Sequence, residues 1–251
     1  MAPRTLRVAG ILAYLVEAVL PAERPGLEAS LGPWFDQSKR FVAFAEAHRD
    51  KIRRKLRTAT EPGARDDVLA ELETAFRLLD ERRIELAFEA YGSGRRGPDF
   101  TVTFRAAHRF NLEVTRPRMS GESVDPEALI GRAVLAKLRQ FPTGVANALL
   151  IATPVAQSPD QVARTMRTLK QRADSGDGAY FSARGLTLDE FQAHYRRMSA
   201  LLVAGETAPG VFAWLNPEAR LSLPDGAANA CLARLGGTAR SGQEAVGSET
   251  G

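Results

Sequence analysis

The sequence predicts an α/β chain: a three-layer domain with a central mixed β-sheet flanked by helices, preceded by an N-terminal helical extension. Three observations point there. Residues 84–91, 99–105 and 110–115 alternate apolar and polar side chains, which is the period of half-buried strands. Only short stretches of turn-forming or polar residues separate them, as in an antiparallel meander. A helix-period stretch then precedes the apolar run 148–153, the pattern of a crossover that lays the next strand parallel to an earlier one. A sheet reached in this way needs helices on both faces.

Taken in order, residues 8–20 form an apolar helix ending at Pro21, and residues 21–33, rich in Pro and Gly, read as a linker. Residues 38–57 read as one charged helix, with Phe41, Phe44, His48, Ile52 and Lys55 or Leu56 at helical spacing and a basic opposite face. Glu61-Pro62-Gly63 breaks it. The next helix, 66–80, carries an apolar stripe of Val68, Leu69, Leu72, Ala75, Phe76 and Leu79.

The meander follows. Asp125-Pro126 then opens a helix with Asp at the N-cap and Pro at the first helical position, and Pro142 and Gly144 stop it. Ser158-Pro159-Asp160 opens another, to about residue 173. A polar loop over 174–184, a helix over 188–197 and strands over 200–203 and 211–215 complete the pattern. The expected organisation is a helix and linker over 1–37, an α/β domain over 38–235 with its core at 66–153, and a disordered tail over 236–251.

Composition narrows the function classes. The 251 residues are 44% hydrophobic and 25% charged, enough for a sizeable core and unlike a disordered chain. A formal net charge of +4 leans only slightly toward polyanions. The single cysteine, Cys231, excludes a disulfide framework and a cysteine-rich zinc site. His48, His108 and His194 are too scattered for a metal-ligand pattern. The run 8–20 is too short to span a bilayer, so no membrane partner is expected and the cytoplasm is the expected compartment.

The chemistry concentrates on the second and third strands. Phe100, Val102 and Phe104 alternate with Asp99, Thr101 and Thr103, while Phe110, Leu112 and Val114 alternate with Asn111, Glu113 and Thr115. Asp99 and Glu113 therefore occupy the polar faces of two strands that a hairpin brings together. Converging carboxylates provide the oxygen ligands that a hard divalent cation needs. On the following helix, Lys137 lies within the apolar stripe of Ile130, Val134, Leu138 and Phe141, where an ammonium is costly unless it snorkels or meets an anion.

This element order, with Pro98-Asp99 opening the second strand and Glu113-Val114-Thr115 on the third, resembles the PD-(D/E)xK nuclease-like (restriction-endonuclease-like) superfamily over residues 66–153. The resemblance implies a metal-dependent nuclease that hydrolyses phosphodiesters of DNA or RNA. Asp99, Glu113 and the Val114 carbonyl would hold magnesium or manganese. Thr115 departs from the family's Lys, and Lys137, supported by Gln140, is the candidate replacement. Arg95 and Arg96 would bind substrate. Glu71, Glu73 and Glu89 are weaker candidates for a further acid, and the run from Lys51 to Arg57 reads as a solvated basic face. The alternative is a catalytically inactive binding or scaffold protein on the same fold.

Overall fold

The computed structural model describes residues 4–92, 97–118, 125–153, 155, 157–205 and 211–236. A mixed six-stranded sheet runs in chain order: β1 (Ile84–Phe88), β2 (Phe100–Phe104), β3 (His108–Thr115), β4 (Ala146–Thr153), β5 (Met198–Gly205) and β6 (Val211–Leu215). The first three strands pair antiparallel, β3 and β4 are parallel, β4 and β5 are parallel, and β5 and β6 are antiparallel. The register sets Phe100 opposite Leu112, so Asp99, one residue before β2, meets Glu113. Between β2 and β3 the chain reverses with Arg105 and Ala106 at φ 52° and 59°, the backbone twist that tight hairpins require.

The alternation read from the sequence divides the sheet between two cores. Ile84, Phe88, Phe100, Val102, Phe110, Leu112 and Val114 face one layer of helices: α1 (Arg4–Val16), α2 (Arg24–Gln37), α3 (Lys39–Ala47), α4 (Arg49–Thr58), α5 (Ala64–Leu78) and α10 (Ala227–Leu235). Leu149, Ile151, Leu201 and Val203 face the other: α6 (Pro126–Lys137), α7 (Pro159–Asp174), α8 (Gly178–Ser182) and α9 (Leu188–Tyr195). The expected caps form. Asp125 accepts from the Glu127 amide, and Ser158 and Gln161 cap α7 reciprocally.

Four expectations need correction. The stretch 21–33 is not a linker. After a 3₁₀ turn (Pro21–Glu23) it enters α2, whose Leu27, Leu31 and Phe35 are buried four residues apart. Pro25 sits in the first turn, where a missing N–H costs nothing, whereas Pro33 lies inside the helix. An internal proline costs ~3 kcal/mol, yet burying each of three large apolar side chains returns ~1.5–3 kcal/mol, so packing overrides propensity.

The second correction is to the helix over 38–57, which is two helices. His48 at φ −115° and ψ 12° ends α3 and starts α4. Third, the loop 174–184 contains α8, nucleated by Asp177 accepting from the Tyr180 amide and anchored by buried Phe181. Fourth, α10 had no counterpart in the sequence reading; it places Cys231 in the core, where burial pushes the thiol up to about 12. The expected tail lies outside the described residues beyond Gly236. Among the described residues, no helix is long and apolar enough to cross a membrane.

Candidate functional site

Where the two layers meet across β2 and β3, a cleft of about 230 Å³ is lined by Lys55, Glu71, Glu89, Tyr91, Gly97, Pro98, Asp99, Glu113, Lys137 and Gln140, among others. Asp99 and Glu113 lock each other through the backbone. The Asp99 amide donates to Glu113 Oε2 at 3.2 Å, and the Val114 amide donates to Asp99 Oδ2 at 2.9 Å. Glu113 is only 1% exposed, so it is a buried carboxylate rather than a solvated strand residue.

Two lysines enter from opposite layers. From the end of α6, Lys137 Nζ donates to Glu113 Oε1 at 2.6 Å. A 3₁₀ turn (Leu138–Gln140) carries the chain to Gln140. With its amide nitrogen assigned toward the cleft, Gln140 donates to both Glu113 oxygens, at 2.5 and 2.8 Å. From α4, Lys55 Nζ lies 2.5 Å from Glu71 Oε2, 3.1 Å from Asp99 Oδ1 and 3.8 Å from Glu89 Oε1.

Glu89, just past the end of β1, adopts φ 45°, a left-handed conformation uncommon for a residue with a side chain. Several bonds hold it there. Its amide donates to the Asp99 carbonyl at 2.8 Å, Lys51 Nζ donates to its carbonyl at 3.0 Å, and Arg54 donates to its carboxylate at 3.0 Å. At Gly97 a β-carbon would come within 2.8 Å of Tyr91 Cβ, so this entry to β2 requires glycine.

Crowded acids and burial dominate the electrostatics. Burial, then the neighbouring Asp99 charge, push the Glu113 carboxyl up to about 8 against the pull of Lys137. Glu71 is raised well above the usual carboxylate range by the same two causes. Burial pulls both ammonium groups down. Asp99 and Glu71 outweigh it for Lys55, and Glu113 outweighs it for Lys137, so both lysines end above their ordinary values. Burial, helped by the Asp99 charge, thus holds Glu113 and Glu71 toward their protonated forms beside two ammoniums that stay charged.

The donors are oxygens, which suit a hard cation such as magnesium or manganese. Among the described residues, no group of three Asp, Glu, His or Cys side chains is arranged as a ready metal shell. Ammonium groups and backbone amides hold the carboxylates instead. The residues fit a divalent cation in donor chemistry, with Lys55 and Lys137 supplying the counter-charge in this arrangement.

Of the residues singled out from the sequence, Asp99, Glu113, Lys137 and Gln140 share the cleft, and Val114 contributes its amide to Asp99. Glu71 and Glu89 join them, but Glu73 faces away and pairs with Arg77 at 2.6 Å. Thr115 ends β3 half-buried. Arg116 and Arg118 pair with Asp66 and Asp67 at the start of α5. Arg95 and Arg96 lie outside the described residues.

Lys55 belongs to the run expected to be a solvated basic face, yet it is a site residue. Its signal was its place between the buried Ile52 and Leu56, on the inner side of α4. A second buried polar group was also missed. Asn147 accepts from Asn111 Nδ2 at 2.9 Å and donates to the carbonyls of Pro142, Val145 and Arg197. Tyr91, on the cleft wall, bonds to Asn111 and ties this network to the site.

Comparison of the chain with family models, with curated proteins and with solved structures finds no match.

Proposed function

We propose that this protein is a PD-(D/E)xK-like hydrolase that cleaves nucleic-acid phosphodiesters with the help of magnesium or manganese. The observation that carries this reading is the convergence of Asp99, Glu113, Lys137 and Gln140 on one cleft from separate elements of a mixed sheet domain. The Lys absent at Thr115 has a functional replacement, because the Lys137 ammonium reaches Glu113 Oε1 at 2.6 Å.

Asp99 and Glu113, with the Val114 carbonyl, are the residues to hold the cation. When bound, the cation supplies Lewis acidity to the phosphate and to water. The chain's own residues set the geometry. Gln140 fixes the plane of the Glu113 carboxylate, and the Val114 amide fixes that of Asp99. Lys137 is a donor that cannot ligate a metal, so it acts on the attacking water or on a phosphate oxygen. The substrate is a polyanion drawn by a mildly basic chain, DNA or RNA.

Calorimetric titration with Mn²⁺, beside cleavage assays on labelled DNA and RNA, tests this reading. It expects saturable binding by the wild type and none by Glu113→Ala. A wild type that binds no divalent cation overturns it. A second reading, a catalytically inactive nuclease-fold binding or scaffold protein, draws on the Lys55 ammonium seated on Glu71 and Asp99. Cation binding without cleavage of any nucleic acid would favour that reading.

A further inference from the structure

We propose that Lys55 is a tethered counter-cation that occupies the carboxylate site in place of a divalent ion and must leave before that ion can bind. The inference rests on the metal-dependent reading above and adds a residue that reading does not use.

The carboxylate oxygens at the heart of the cleft are taken up one by one. Asp99 Oδ2 is spent on the Val114 amide. Glu113 Oε2 is spent on the Asp99 amide, and Oε1 on Lys137. The Asp99 oxygen not tied to backbone is Oδ1, and Lys55 Nζ holds it at 3.1 Å. The same ammonium holds Glu71 Oε2 at 2.5 Å, so it bridges two acids from different elements as a small cation would. Among the described residues Lys137 makes no such bridge; its ion pair is to Glu113. An ammonium and a divalent ion on one carboxylate oxygen repel, so the two are alternatives.

Lys55 is built both to sit there and to leave. Ile52 and Leu56 anchor α4 in the core on either side of it. Its ammonium lies over the Phe88 ring, with Nζ 5.1 Å from the ring centre, which shelters the charge. Glu89, at 3.8 Å, is the next acceptor along the cleft. A flexible stem lets Nζ swing to Glu89 without moving the helix. In this view the lysine keeps the acid cluster folded when no metal is present, and metal binding is an exchange of cations.

The experiment is Mn²⁺ titration by calorimetry on wild type, Lys55→Met and Lys55→Arg, with thermal unfolding of each in EDTA and in saturating Mn²⁺. Lys55→Met should bind Mn²⁺ about tenfold more tightly, a modest ion-pair contribution. It should also melt lower than wild type in EDTA and recover in Mn²⁺. Lys55→Arg keeps the charge and should stay near wild-type affinity, and it serves if Lys55→Met does not fold. Equal or weaker binding by Lys55→Met, or tighter binding by Lys55→Arg, overturns the counter-cation role while leaving the metal-dependent reading standing. Absence of binding in all three proteins overturns both.

Discussion

Glu81 and Glu113 are both carboxylates withdrawn from water beside a basic side chain, and the fold drives them in opposite directions. Glu81, in the turn before β1, meets the fork of Arg83, with contacts at 2.8 and 3.0 Å and a further bond from the Arg83 amide at 3.1 Å. Those bonds lower its carboxyl to about 2. Glu113 receives an ammonium and a backbone amide as well, yet burial and the Asp99 charge lift it to about 8. What separates them is depth of burial, 8% exposed for Glu81 against 1% for Glu113, and company. Glu81 is answered by Arg83 and Arg234, whereas Glu113 shares its site with Asp99 and Glu71. A carboxylate satisfied by cations holds structure together. Buried carboxylates gathered together are each pushed toward the protonated form, a perturbation that clusters at functional sites.

Metal binding separates the two carboxylates most widely. Asp99→Ala and Glu113→Ala should each abolish Mn²⁺ binding in calorimetry while retaining a cooperative melt, and Glu81→Ala should leave binding intact. Lys137→Ala should keep the metal and lose about a hundredfold or more in phosphodiester cleavage, the usual worth of a positioned proton-handling group. Metal binding that survives both carboxylate deletions would make the cluster purely structural.

Stability is the next contrast. Glu81→Gln removes the charge that Arg83 answers and should lower the melting temperature by about 2–4 °C for a chain of this size. Glu113→Gln removes a charge that the site resists and should leave the melting temperature unchanged or raised, measured in EDTA. If the two variants fall by equal amounts, the opposite shifts carry no energetic meaning.

The pH dependence of Glu81 sharpens the same point. Its folded value lies below the ordinary 4.5, so its contribution is present above 4.5 and is lost as pH falls toward about 2. Wild type should therefore lose stability faster than Glu81→Gln over that window in acid titrations followed by circular dichroism. Parallel curves would refute the assignment.

The smallest effect concerns nucleic acid. Binding should be weak, independent of base sequence and diminished by salt, because the chain is only mildly basic. Lys137→Gln should weaken it slightly at low salt, and Arg83→Gln should not, since Arg83 pairs with Glu81 at the start of β1 and the cleft residue Glu89 lies past the other end of that strand. Fluorescence anisotropy at two salt concentrations reads both variants.

Much of this architecture was legible in the chain itself. Period-two alternation over 99–105 and 110–115 named two strands, and the short Arg105–Arg109 connection made them neighbours, which set Asp99 against Glu113. Asp125-Pro126 and Ser158-Pro159 announced their helices through capping chemistry that acts within four residues. Lys137 betrayed itself as a charge inside an apolar stripe. These signals are local, because backbone hydrogen bonds and caps join residues close in sequence.

Tertiary structure decided what remained. Helical spacing puts Lys55 beside Ile52 and Leu56 on the inner side of α4 but names no partner; its partners are Glu71 and Asp99, 16 and 44 residues away, and they meet it only when α4 packs against α5 and the start of β2. The choice of Glu71 over Glu73 is likewise a matter of which edge of α5 faces the sheet. Pro33 argued against a helix until the core offered Leu27, Leu31 and Phe35 a place to be buried. Periodicity states which face of an element is apolar, and it carries no term for the partner that face or its charged edge will meet. That partner is chosen when the layers close, where the free energy of burial and of pairing charges in a low dielectric exceeds every local preference.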